Sequence, residues 1–451
     1  MPYEGEFATY KPLHRIAESE RVQKLLRLSR VRTPEDSRAS VIPSPAPPPR
    51  ELPSLVIAID GSNAEVDVRT GYPGAKVGYC TVASVLVDLD LLDTLDEHRP
   101  VDPMRFRTVE QAATIDAALP GSNVVTRTLS SARESFRQAL HEVLSDAVID
   151  EQDRTPLLTT YEELLALKPT GQFGGQACPY EAELGCTQRL AVGPGISSCA
   201  CSQGRPIFST DALRVHEVFH DQGTNGEALG EVMQVWERLF LVHLLRCFER
   251  RALLGRVDHV AFVVDGPLAV FGHPAWLSAA ISEELKRINV RVREETGRDL
   301  LLFGVEKTGT FVSHFEDLDQ LNESGTRLFP SRTIFMPDDQ YIKANIIFST
   351  SPKRYGLDTY FGRKVFYKTL SGAHLVVDIP FLNDEQDSLA SSDLTPYPEL
   401  GTLCALLDKL VSSRYPNALT SLASANAQAA IPLNLGGKVL EQLARALMRH
   451  D

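Results

Sequence analysis

Short, unbroken apolar runs alternate along the chain with longer stretches in which apolar residues recur at helical spacing. Leu55 to Asp60 reads LVIAID and opens into Gly61-Ser62-Asn63, while Val260 to Asp265 reads VAFVVD and opens into Gly266-Pro267-Leu268. Runs of this kind, bounded by turn residues, predict strands buried on both faces. Val77 to Asp90, VGYCTVASVLVDLD, predicts a second long strand, antiparallel to the first across the turn-rich RTGYPGAK segment. Further strands are predicted at His259 to Val264, Leu300 to Val305, Lys364 to Lys368 and His374 to Ile379. Helical spacing marks Ser130 to Ala147, with a serine near its start, and Ala275 to Thr296. Val232 to Phe248, interrupted by Glu237, Arg238 and Arg246, reads as an amphipathic core helix. No internal repeat is visible, and the expected class is α/β, a mixed sheet flanked by helices.

The pattern divides the chain into four parts. Residues 1–50 form an N-terminal helical arm with a basic stretch, RVQKLLRLSRVR from Arg21 to Arg32, and a proline-rich connector, IPSPAPPPRELP. Such a connector is extended and stiff, so the arm either docks elsewhere or lies as a surface helix on its own domain. Residues 51–167 and 227–451 carry the alternating strands and helices of the main domain. Between them, 168–226 is rich in Gly, Ser, Pro and Cys with little periodicity, and reads as an insertion.

Of 451 residues 43% are hydrophobic, enough for a substantial core. No segment approaches the length of an uncharged membrane span, and the N-terminus, with Glu4 and Glu6, lacks the basic and apolar regions of a secretory signal, so a cytosolic protein is expected. The net charge of −13, from 59 acidic and 46 basic residues, argues against coating nucleic acid through bulk positive charge. It leaves room for an acidic metal site beside a local basic groove, or for a basic partner.

Asp60 and Asp265 each place a carboxylate at the end of a predicted central strand, followed by glycine. Asp-Gly is ordinary turn chemistry, but two such ends brought together make a cluster able to hold a divalent cation, as phosphodiester hydrolysis requires. A second constellation is Cys178, Cys186, Cys199 and Cys201, with spacing C-x7-C-x12-C-x-C in the insertion. In a reducing compartment it suggests a structural zinc that staples the loop, with reduced surface thiols as the alternative. Cys80, Cys247 and Cys404 fall on predicted strands or helices and read as core residues.

The ordered set IDGSNAEV from Ile59, the helix with Glu134, VVDGPL from Val263, GVEKTGTF from Gly304, the strand pair from Tyr360 to Phe381 and YPNAL from Tyr415 resembles the NurA nucleases, which work with the hexameric HerA translocase in DNA end processing. The resemblance covers roughly Leu52 to Leu440, broken by the cysteine insertion. It implies an RNase H-like core, a homodimer, and Mn²⁺- or Mg²⁺-dependent cleavage of DNA, exonucleolytic from 5′ ends and endonucleolytic on single strands. Carried over, Asp60, Glu134 and Asp265 are the metal ligands, with Lys307 and Tyr415 as further active-site residues. Lys307, Tyr360, Arg363, Lys364 and Asn426 are expected to contact DNA. His374 reads as a structural histidine and stays outside the site.

One position departs from that family. A histidine is usual eight residues after the tyrosine of the YP motif; here Ala423 stands at that spacing, or Asn426 after a small shift of register. Asn426 can hydrogen-bond a phosphate but cannot exchange a proton near neutral pH. The leading expectation is thus a metal-dependent DNA nuclease acting with a HerA-like ATPase in repair or antiviral defence. The alternatives are a non-catalytic clamp or adaptor at DNA ends and a zinc-containing RNA-processing or transposase-like enzyme on the same core.

Overall fold

The two apolar runs that end in aspartate lie side by side in the middle of one nine-stranded mixed sheet. The computed structural model describes residues 11–29, 41–68, 74–90, 110–168, 175–201, 204–320, 325–386, 389–411, 419–429, 440 and 442. In chain order the sheet contains β1 (Ser44–Pro45), β2 (Leu55–Asp67), β3 (Lys76–Asp88), β4 (Glu110–Pro120), β9 (Val260–Asp265), β10 (Leu302–Glu306), β11 (Thr333–Phe335), β12 (Gly362–Lys368) and β13 (His374–Pro380). Two small hairpins, β5 (Gln176–Ala177) with β6 (Arg189–Leu190) and β7 (Ile196–Ser198) with β8 (Pro206–Phe208), belong to the cysteine-rich segment.

Across the sheet the order is β1-β11-β12-β13-β10-β9-β2-β3-β4. The strands β2, β3 and β4 form an antiparallel meander, β9 joins β2 in parallel and β10 joins β9 in parallel. That five-strand unit has the order and directions of an RNase H-like core, as expected. On its outer side β13, β12, β11 and β1 extend the sheet by antiparallel pairing.

Side-chain alternation along β2 sorts the core into two layers. Ile57 and Ile59 face one layer, which is filled by helices Gly226–Arg250, Leu277–Thr296, Ala132–Asp146 and Leu157–Ala166. Val56 and Ala58 face the other, beneath helices Leu400–Leu410 and Thr420–Ala429. Trp236, Phe240 and Phe262 are fully buried in the first layer, each such side chain contributing about 1.5–3 kcal/mol. Covered on both faces, the first half of β2 and all of β9 up to its aspartate have the unbroken apolar sequences that β3 and β12 share only in part.

Several expectations are corrected here. The first strand does not end at Asp60: β2 continues to Asp67, paired throughout with β3, because the polar residues after Gly61 alternate and keep the ladder. Gly266, by contrast, lies at φ +76 and does turn the chain. Strands β4 and β11 and helices Leu157–Ala166, Thr310–Leu318 and Leu400–Leu410 were not foreseen; β4, EQAATIDAALP, is alanine-rich and lacks the β-branched signature. The proline connector is no free spacer, since β1 pairs with the edge strand β11, Pro47 and Pro48 pack on Gly401, and Arg50 binds Glu399 at 3.0 Å. Interval 168–226 divides: Ala212, Leu213, Val215 and Phe219 enter the main core, whereas residues around the cysteines form their own cluster. Helices Lys11–Glu18 and Glu20–Leu28 bury no residue.

Candidate active site

Parallel pairing of β2 with β9 sets Ile59 opposite Val264, so the next residues, Asp60 and Asp265, emerge together. By alternation both side chains leave the sheet on the face of Val56, Ala58, Ala261 and Val263, the face that carries helix Thr420–Ala429. Lys307 follows β10 on the same side, and its Nζ lies 2.9 Å from Asp265 Oδ1. Asp60 is only 3% exposed. Its Oδ1 accepts the Gly61 N–H at 2.8 Å, while the buried Oδ2 accepts no hydrogen bond. Burial and the nearby Asp265 charge raise its pKa to about 7, against the opposing pull of Lys307. Two carboxyl groups at hydrogen-bond range repel unless a proton or a cation lies between them.

A third carboxylate enters from the opposite layer. Glu237, on helix Gly226–Arg250, is buried, and its pKa is pushed up to about 8 by desolvation, opposed by Arg238 and reinforced by Asp60 and Asp265. Gly61 makes this approach possible: a Cβ there would lie 2.6 Å from Glu237 Oε1. The glycine after the first aspartate therefore serves close approach rather than a turn.

Arg238 fixes the geometry. It donates to Glu237 Oε2 at 3.0 Å, to the Asp265 carbonyl at 3.3 Å and to the Pro267 carbonyl at 2.9 Å, tying the Gly266 turn to the helix. From the far side, the Leu268 N–H donates to Asp378 Oδ2 at 2.9 Å, and Gly304 packs so closely on the Gly266 carbonyl that a Cβ would lie 2.4 Å from it. Backbone and buried charges thus hold Asp265 in place.

Among the described residues, the groups of three His, Cys, Asp or Glu whose ligating atoms all lie within 4.8 Å of one another are Cys178–Cys186–Cys199 and Asp153–His243–Cys247. The second is occupied, with Asp153 bound by Arg250 at 2.5–2.9 Å. The carboxylates of Asp60, Asp265 and Glu237 do not form a group of that kind.

The remaining predicted residues separate. Glu134 is 4% exposed and faces the cysteine-rich segment, bound to Arg205 at 3.1 Å, Ser130 at 3.1 Å and Tyr180 at 3.3 Å. Its helix packs on β4, with β3 intervening before β2, so the structure does not bring it to the aspartates. Arg363 and Lys364, each 3% exposed, are not on an open hairpin. Lys364 binds Asp378 at 2.9 Å and also Glu306, and Arg363 donates to the carbonyls of Pro337 and Ser391. Tyr360 is partly buried, its hydroxyl 3.2 Å from that of Tyr355. Their place between sheet and covering loops, unforeseen from strand polarity, removes them from direct contact with a polymer. His374 is structural, 2.6 Å from Asp319. Asn426 is exposed on helix Thr420–Ala429, the Ala423 side chain is outside the described set, and Tyr415 lies outside the described residues.

No protein-family model matches the chain, and no curated protein matches it in sequence. In structure it is similar to the NurA nuclease from Sulfolobus solfataricus, over 97% of this chain and 96% of that one, at 8% identity and a TM-score of 0.37. It is also similar to a second crystal structure of NurA, over 98% and 99% of the two chains, at 10% identity and a TM-score of 0.29. At such values no side-chain role passes from those proteins to this chain.

Proposed function

We propose that the protein is a divalent-metal-dependent DNA nuclease whose cations are held by Asp60, Asp265 and Glu237. The observation that carries this reading is the pair of carboxyl groups side by side on adjacent parallel strands, Asp60 within β2 and Asp265 at the end of β9, one with a buried oxygen that accepts no hydrogen bond. Clustered like charges of this kind cost stability unless a cation compensates them. Mg²⁺ or Mn²⁺ bound there would orient the attacking water, polarise the scissile phosphate and stabilise the leaving oxygen.

The chain's own groups have distinct parts. Asp60 and Asp265 set the spacing, and Glu237 reaches past Gly61 to complete the acidic set. Lys307, paired with Asp265 in the resting site, is placed to offset phosphate charge once that carboxylate is otherwise engaged. Asn426 and Tyr415 are proposed phosphate contacts. DNA as the polymer, a homodimer, 5′-end exonuclease and single-strand endonuclease action, and a HerA-like hexameric ATPase as partner follow from the sequence resemblance. The basic N-terminal helices, with Leu25 and Leu26 exposed, are the proposed docking element for that partner. No helix among the described residues is long and apolar enough to cross a membrane.

The test is cleavage of end-labelled single- and double-stranded DNA with Mn²⁺, Mg²⁺ or EDTA. Asp60→Ala and Glu237→Gln should each lower the rate about 100-fold or more, while Glu134→Gln should stay within about 3-fold of the parent. Equal loss in Glu134→Gln and none in Glu237→Gln would return the helical ligand to Glu134. If the parent binds DNA ends but does not cut them, even with the ATPase and ATP, the adaptor reading, which the missing histidine favours, replaces the nuclease.

A further inference from the structure

The cysteine-rich segment holds its few elements together with very little apolar surface. Its buried cluster is Cys178, Tyr180, Cys186, Cys199 and Ile207, in which three of five side chains are thiols. A core of this size cannot order two hairpins by hydrophobic burial alone. The thiols are not paired either. Cys178, Cys186 and Cys199 form no disulfide, the Cys199 sulfur lying 3.4 Å from Cys178 and 3.6 Å from Cys186, against about 2.05 Å in a disulfide. Three sulfurs converging on one point cannot all be satisfied by one bridge.

Each hairpin contributes two of the four cysteines. In the first, Cys178 follows β5, and Cys186 follows Gly185, which caps the short helix Glu181–Leu184 at φ +64 and turns the chain back toward β6. In the second, Cys199 follows β7, and the Cys201 N–H donates to the Cys199 sulfur at 3.3 Å. The Cys201 side chain reaches hydrogen-bond range of Cys199 as well. A backbone N–H directed at a cysteine sulfur is the interaction that stabilises thiolate negative charge.

We infer that Cys178, Cys186, Cys199 and Cys201 bind one structural zinc ion as four thiolates, joining the two hairpins into a knuckle. Tetrahedral zinc takes sulfur ligands at about 2.3 Å, which sets neighbouring sulfurs about 3.8 Å apart, so outward shifts of a few tenths of an ångström from the observed contacts reach that geometry. The knuckle is seated on helix Ala132–Asp146. Tyr180 and Arg205 bind Glu134, Glu183 binds Ser131 at 2.7 Å, and Arg137 makes a paired contact with Asp211 at 2.6 and 2.7 Å. This assigns Glu134 its place: it anchors the zinc segment to the nuclease core.

The measurement is metal analysis of the full chain, purified without metal-affinity resin, with cobalt reconstitution as a second readout. About one zinc per chain is expected, falling at least about 5-fold in Cys199→Ser and Cys201→Ser and unchanged in Cys404→Ser. Cobalt should produce intense thiolate charge-transfer absorption and the visible bands of a tetrahedral ion. Parent protein without zinc and without that cobalt spectrum, or protein carrying an iron–sulfide chromophore instead, would overturn the assignment. Because the parent alone decides, a variant that fails to fold does not blunt the test. Nuclease activity is not the readout, so this outcome is independent of the acidic site.

Discussion

Asp60 and Glu237 are buried acids whose ionised forms the fold disfavours, and each was differently visible in the sequence. Asp60 stands out because it ends an apolar run, and Asp265 repeats the pattern. Glu237 sits inside an apolar helix next to Arg238, and its signal was present as a charged pair interrupting Val232 to Phe248. Only the register of that helix against Gly61 turns the interruption into a site, and single-sequence periodicity carries no such register. Glu134 stands apart for the opposite reason: an acid in the first turn of a helix beside Ser131 looks available, yet it is also held by Tyr180 and Arg205, from a segment without periodicity. Since the ionised pair repels, Asp60→Asn should abolish cleavage and raise Tm in EDTA at pH 8 by about 1–3 °C. At pH 5, where Asp60 is already protonated, the gain should vanish. Thermal melts at the two pH values check this, and a fall in Tm at pH 8 would mean that the charge is already compensated within the chain.

At the scale of elements, the apolar strands β2, β9, β10 and β13 were legible because both faces are covered and the composition is unbroken. The edges were not. The two-residue β1 has no pattern to find, and its pairing is set by β11, about 290 residues away. Lys364 illustrates a finer failure, for strand alternation predicts a side chain on one face without saying whether that face is wet. It is dry here, and Lys364 joins Glu306 and Asp378 behind the Leu268 turn. Removing one member leaves uncompensated buried charge, so Lys364→Ala should cost about 3–5 kcal/mol in urea unfolding. Lys307→Ala breaks a part-exposed pair and should cost at most about 1 kcal/mol, while lowering cleavage and weakening binding of phosphate-rich substrate. Equal destabilisation by the two substitutions would show that Lys307 is also a structural ion.

Over the whole molecule, proton and cation binding are linked through the acidic site. Asp60 at about 7 and Glu237 at about 8 lie above their ordinary values, so the folded chain retains protons that the unfolded chain has released. Their contribution is fully present below about pH 4 and is lost as pH rises to about 8. His216 and His243 work in the other direction, each lowered to about 4 by burial, so stability gained from them grows between about pH 4 and 6.5 and is then complete. Above about pH 6.5 these two histidines add no further change, and in EDTA the Tm should fall as Asp60 and Glu237 lose their protons. A divalent cation must displace the same protons to bind, so stabilisation by excess Mn²⁺ should be larger at pH 8 than at pH 6.5, reaching about 2.7 kcal/mol at a hundredfold excess over Kd. Differential scanning calorimetry in EDTA and in Mn²⁺ at both pH values measures each term. A Tm that rises with pH in EDTA, or an Mn²⁺ effect independent of pH, would show that Asp60 and Glu237 are not the groups to which the cation binds. The same series on Glu237→Gln separates the two acids: the part of the pH dependence that persists belongs to Asp60, and the part that disappears belongs to the carboxylate that reaches the site past Gly61.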